Sequence, residues 1–121
     1  MNGSADPMNP FDGGDVALYG LIGNRGAVLS SADSIDYFRD IAEYESAPEA
    51  VALPDLDPGD ESTVEVTRWR APGRKSVALY TIRNGGHNAP HPEIQIPRLL
   101  GPTNHDIHAA HEIWRFFAEA P

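Results

Sequence analysis

Residues 77–82, Val-Ala-Leu-Tyr-Thr-Ile, set the hardest condition this chain must meet. Side chains alternate across a strand, and here both faces of the alternation are apolar. Such a strand has to be covered on both sides, which calls for a layered α/β arrangement rather than a sheet with one wet face. The remaining residues of a 121-residue chain must supply that cover. The signals in them amount to two helices and one further strand, fewer layers than the segment demands. The reading is therefore one α/β domain that is only part of an architecture, with neighbouring strands supplied from elsewhere. The length excludes two full-sized domains.

The rest of the chain fixes the order of elements. Asp6-Pro7, Asn9-Pro10, Gly13-Gly14, Gly20, Gly23 and Gly26 punctuate residues 1–31, which read as loop. A helix is predicted over 32–45. Ser30 and Ser31 are available as N-caps, Asp33 and Asp36 suit the positive helix end, and Ile35, Phe38, Ile41 and Ala42 recur at helical spacing. Residues 46–61, with three prolines among the carboxylates, read as an exposed acidic loop. A strand hairpin over 62–83 follows. Val64 and Val66 share one face, Glu65 and Thr67 the other, and Ala71-Pro72-Gly73-Arg74 has the residues of a type II turn. Residues 84–104 form a loop around His87. A C-terminal helix is predicted over 105–119, capped by Asn104 or Asp106. Its apolar face is Ile107, Ala110, Trp114 and Phe117, widened by Ile113 and Phe116.

Composition removes several functions. Eighteen acidic residues against nine basic ones give a net charge of -9. Arg68, Arg70, Arg74 and Lys75 lie among acidic neighbours, so no basic stripe offers itself to a phosphate backbone or an anionic membrane. No stretch approaches the roughly 20 apolar residues of a membrane helix. Residues 1–6 show neither the basic nor the apolar part of a secretory leader, and the compartment stays undetermined. The absence of Cys removes disulfides, thiolate nucleophiles and Cys-based zinc sites.

Few residues remain that could carry chemistry. His87 follows Asn84-Gly85-Gly86 at the carboxyl end of the doubly apolar strand, where α/β sheets gather ligand and catalytic groups. The ordinary reading of a histidine in such a loop is surface. Asp6, in Gly3-Ser4-Ala5-Asp6-Pro7, reads either as an Asx-turn before proline or as a carboxylate that orients a histidine. His105, His108 and His111 sit at spacings zinc accepts, yet without a strong metal motif, and a solvated helix face accounts for them as well. No serine has glycines two residues to either side, so there is no nucleophile elbow. The N-terminal glycines make no phosphate loop, and no cofactor is implied.

Three segments together resemble an esterase family of α/β-hydrolases, the polyhydroxybutyrate depolymerase-like and feruloyl esterase-like enzymes. Residues 1–14, Met-Asn-Gly-Ser-Ala-Asp-Pro-Met-Asn-Pro-Phe-Asp-Gly-Gly, are similar to the family's hGTxDPxxPyxGG segment. Val77 to Ile82 followed by Arg83-Asn84-Gly85-Gly86-His87 resembles its last strand and GGH loop. Residues 99–107 with Ile113-Trp114-Arg115-Phe116-Phe117 look like its closing helix. The resemblance spans nearly the whole chain in the right order. It implies the C-terminal part of an α/β-hydrolase fold, with Asp6 as triad acid and His87 as general base for an ester substrate. Where the family often continues GGHTWPGG, this chain reads Asn88-Ala89-Pro90-His91-Pro92. The serine elbow and oxyanion loop would precede Met1. Acid and base without a nucleophile form no acyl-enzyme, so the resemblance implies a chain inactive by itself. It also implies an unpaired strand edge that either self-associates into a homo-oligomer or pairs with an N-terminal portion. The alternatives are a non-catalytic, self-associating or binding module and a histidine-based metal-binding protein. Enzymes of this family are commonly exported.

Overall fold

A computed structural model describes residues 1–23 and 25–119. Among these, the elements run β1 (Asn2–Gly3), β2 (Gly14–Asp15), β3 (Ala27–Val28), α1 (Ser31–Ile41), β4 (Glu49–Ala52), β5 (Thr63–Trp69), β6 (Val77–Arg83) and α2 (Ala109–Ala118). Short 3-10 turns lie at Pro58–Asp60 and Arg98–Leu100. The chain is a mixed α/β fold.

β5 and β6 pair along their full length, from Thr63 opposite Arg83 to Trp69 opposite Val77. The turn between them closes with Arg74 N–H on the Ala71 carbonyl at 3.2 Å and Gly73 at φ +75°, a conformation that glycine adopts without strain. β4 adds antiparallel to β5, and β1 adds parallel to β6, giving a four-stranded mixed sheet in the order β1-β6-β5-β4. β2 and β3 form a separate antiparallel pair.

The doubly apolar strand is covered on both sides. On one face Val64, Val66, Tyr80 and Ile82 form a buried cluster, against which Leu53, Ala78 and Ile107 pack. On the other, Trp69 and Val77 pack with Tyr44, flanked by Ile35, Ala42 and Ala71. Full burial of side chains such as Val64 and Val66 contributes about 1.5–3 kcal/mol apiece.

Several boundaries differ from the sequence reading. Residues 1–31 are not all loop, because β1, β2 and β3 fall within them; strands of two residues show no alternation that could be read. The helix predicted over 32–45 ends at Ile41. Glu43 turns at φ +59°, and Tyr44 leaves the helix axis to enter the core. At its start, Ser30 Oγ accepts the Asp33 N–H at 2.9 Å and donates to the Asp33 carboxylate at 2.7 Å. The 46–61 loop contains β4, a fully exposed edge strand.

The C-terminal helix differs most. It begins at Ala109, not 105, and its N-cap is His108. Asn104 and Asp106 are buried and hold loops together instead. Asp106 Oδ1 accepts the N–H groups of Leu56 and Asp57 at 2.6 and 3.2 Å, and Asn104 Nδ2 donates to Ser62 Oγ and Asp106 Oδ2. Both Asp106 oxygens are thus engaged by loop residues and by Asn104 rather than by the first turn of α2. Ile107 packs on the sheet before the helix starts, so the helix turns a different face inward. Ala109, Glu112 and Phe116 face the protein, while Trp114 is 75% and Phe117 66% exposed. Glu112 accepts the Tyr80 hydroxyl at 2.9 Å.

Candidate active site

The sheet delivers two side chains to one place because β1 and β6 run parallel and end together. Ser4 N–H donates to the Ile82 carbonyl and Ala5 N–H to the Gly85 carbonyl, each at 2.9 Å, so the pairing carries on past β1 to the residue before Asp6. Glycine makes this approach possible. A Cβ on Gly3 would overlap the Gly85 carbonyl, and one on Gly86 would overlap the Leu100 carbonyl. Three stretches of backbone thus lie against one another where only hydrogen fits.

On this frame Asp6 and His87, 81 residues apart, meet with Oδ2 and Nδ1 at 2.8 Å. The Asp6 side chain is 4% exposed and that of His87 is 45% exposed. The second Asp6 oxygen accepts the N–H groups of Met8 and Asn9, both at 2.8 Å, which fixes the plane of the carboxylate. One Asp6 oxygen thus closes an Asx-turn and the other faces the histidine. With Asp6 as acceptor, Nδ1 carries the hydrogen and neutral His87 keeps its lone pair on Nε2. His87 is tied at its backbone as well, its N–H donating to the Leu100 carbonyl at 2.6 Å.

Both residues line a cleft of about 360 Å³, with Asn88, Ala89, Pro90 and Ile113 among its walls. No Ser, Thr, Cys or Lys is among the described residues of that lining. Several serines have other work. Ser30 caps α1, Ser31 accepts from Asn2 Nδ2, Ser4 accepts the Asn84 N–H, and Ser62 is buried with Asp60 and Asn104. The arrangement can orient an imidazole and let it take up a proton; it contains no serine, threonine, cysteine or lysine side chain for that imidazole to activate.

The histidines considered as metal ligands are not brought together as a site. His105 contacts the His91 carbonyl through Nδ1 at 2.8 Å and Gln95 Oε1 through Nε2 at 3.1 Å. His108 lies between the rings of His91 and His111, at centroid distances of 4.4 and 3.9 Å. The His108 and His111 rings stack face to face, and the His91 ring is tilted by 51° to that of His108. Among the described residues no group of three or more His, Asp or Glu is placed to hold a metal ion.

Sequence reasoning overlooked Tyr19. Its N–H donates to the Pro7 carbonyl at 2.7 Å and its hydroxyl to the Leu99 carbonyl at 3.2 Å. It straps the loop of Asp6 to the segment that anchors the His87 backbone. An exposed tyrosine among turn residues carries no signal of such a role. Compared with models of known families, with curated proteins and with solved structures, the chain matches none of them.

Proposed function

We propose that this chain supplies the acid and base of a serine-type carboxylic ester hydrolase, of the polyhydroxybutyrate depolymerase-like or feruloyl esterase-like kind, and that the nucleophilic serine belongs to another stretch of polypeptide. The observation that carries the reading is the 2.8 Å contact between Asp6 and His87 at the carboxyl ends of two parallel strands. The carboxylate is buried and doubly anchored, an arrangement that suits holding the imidazole in one tautomer.

In that reaction His87 Nε2 takes the proton of the serine hydroxyl as the serine oxygen attacks the ester carbonyl. The imidazolium is stabilised by Asp6 and then gives the proton to the departing alcohol, leaving an acyl-serine. A water molecule, deprotonated by the same nitrogen, releases the acid and restores the serine. The cleft beside His87 supports this reading by leaving open space next to the imidazole. A non-catalytic reading draws on the lack of a serine, threonine, cysteine or lysine side chain in the described lining of the cleft.

The test is fluorophosphonate labelling of the purified chain, read by intact mass, beside hydrolysis of p-nitrophenyl butyrate. No adduct and no turnover are expected. A single adduct that disappears in His87→Ala would show an activated serine within this chain and overturn the assignment of the nucleophile to another segment.

A further inference from the structure

The loop that follows His87 is fastened by a second histidine. His91 Nδ1 accepts the N–H groups of Glu93 and Ile94, at 3.1 and 3.2 Å, and so closes the turn of residues 91–94. An imidazole nitrogen that accepts carries no hydrogen, so neutral His91 holds its one hydrogen on Nε2. A further proton can enter this ring only at Nδ1, where it must displace both N–H groups.

The same ring lies at the start of α2. His108, the N-cap of that helix, has its ring 4.4 Å from that of His91 and 3.9 Å from that of His111, centre to centre. His108 Nδ1 is buried without a hydrogen-bond partner. Charging more than one of these rings sets like charges at stacking distance, and each charge adds to the positive end of the helix dipole. The nearby carboxylates are taken up elsewhere. Glu112 binds the Tyr80 hydroxyl and Arg115, and Asp106 binds Leu56, Asp57 and Asn104. Asp60 binds Ser62 and the His105 N–H, and Asp6 binds His87. Among the described residues no carboxylate, that of Glu93 included, forms an ion pair with His91, His108 or His111.

His105 is built the opposite way. Its Nδ1 faces the His91 carbonyl and its Nε2 faces Gln95 Oε1, both acceptors, so it can take a second hydrogen without losing a bond. The acid-sensitive contact is therefore the turn at His91. That turn is docked by two main-chain bonds, His91 N–H to the Asn104 carbonyl and Ala109 N–H to the Pro90 carbonyl, each at 3.0 Å. Ala89 and Pro90, just before it, are walls of the cleft that holds His87.

We propose that His91 is an acid-released latch: protonated at Nδ1, it frees residues 89–94 from the start of α2 and opens that wall of the cleft. The closed turn binds one proton fewer than the open one. It is therefore favoured at neutral pH and lost as pH falls through the range of about 5–8 in which histidines change charge. His87 stays in place, because the Leu100 and Pro102 carbonyls hold its N–H and that of Gly86. A proton on His87 strengthens its bond to Asp6. The latch requires no hydrolase chemistry and stands apart from the reading of Asp6 and His87.

Amide hydrogen exchange of the full chain, read by NMR as protection factors at pH of about 7.5 and about 5, tests it. The Glu93 and Ile94 amides should lose protection by about tenfold or more at the lower pH, followed by those of His91 and Ala109. The amides of Gly86, His87 and the β5–β6 ladder should keep theirs. In His91→Asn the side-chain oxygen can accept the same two N–H groups but takes no proton, so protection should persist at both pH values. If that variant does not fold, the wild-type chain decides: the nitrogen-15 shifts of the His91 ring should titrate with the same midpoint as the loss of protection. Unchanged protection in the wild type at the lower pH would overturn the latch. So would an equal loss in His91→Asn, a His91 ring that titrates apart from the loss, or a loss shared by the β5–β6 ladder.

Discussion

Gly86 has no room for a side chain, and the site depends on that. Its neighbours are the backbone of Leu100 and Gly101, which cannot swing aside as a flexible side chain could. Gly86→Ala should therefore destabilise the chain by about 1–3 kcal/mol, the usual cost of overpacking, measurable as a lower urea midpoint. The glycines and the histidine of residues 85–87 are visible as a motif, and Asp6 before proline is visible as a turn residue. That the two side chains meet across 81 positions is settled by parallel pairing of β1 with β6, and two residues of strand leave no periodicity to read. Tyr19 lies further out of reach, because its two anchoring bonds go to carbonyls of residues 7 and 99.

At the scale of elements, β5 and β6 were legible because alternation and turn chemistry agree, and α1 was legible through its serine cap. The C-terminal helix was misplaced because capping and periodicity pointed the wrong way together. Asn104 and Asp106 have the residue types of a cap, but their side chains are taken up by Ser62, Leu56 and Asp57. Where the helix does pack, Tyr80 joins it to the sheet. Burial raises the Tyr80 phenol above its ordinary value. Its hydrogen bond with Arg68 opposes this in part, and Glu112 adds to the rise. The neutral phenol is therefore favoured in the folded chain. Stability from this group is complete below the ordinary tyrosine range near 10 and falls as pH rises through the higher folded value. Urea unfolding between neutral pH and pH of about 11 should show that loss, and Tyr80→Phe should flatten it.

The whole molecule is a layered arrangement in which β6, packed on both faces, leads to the site. β6 leads into the loop that carries His87, and among the described residues its Val77–Tyr80 stretch pairs with β5 alone. The doubly apolar segment at 77–82 announced that layers were needed, and its surroundings announced that they were few. Which strands pair with β6 could not be read from the segment, because strand neighbours are chosen by three-dimensional proximity of backbone groups. The central claim concerns the state of one imidazole, and the measurement that tests it most directly is nitrogen-15 NMR of the histidine rings at neutral to alkaline pH. The account predicts that neutral His87 carries its hydrogen on Nδ1, with a downfield, slowly exchanging proton. In Asp6→Asn that resonance should be lost and the ring should revert to mixed tautomers. A His87 ring with its hydrogen on Nε2 in the wild type, or one indifferent to Asp6→Asn, would contradict it.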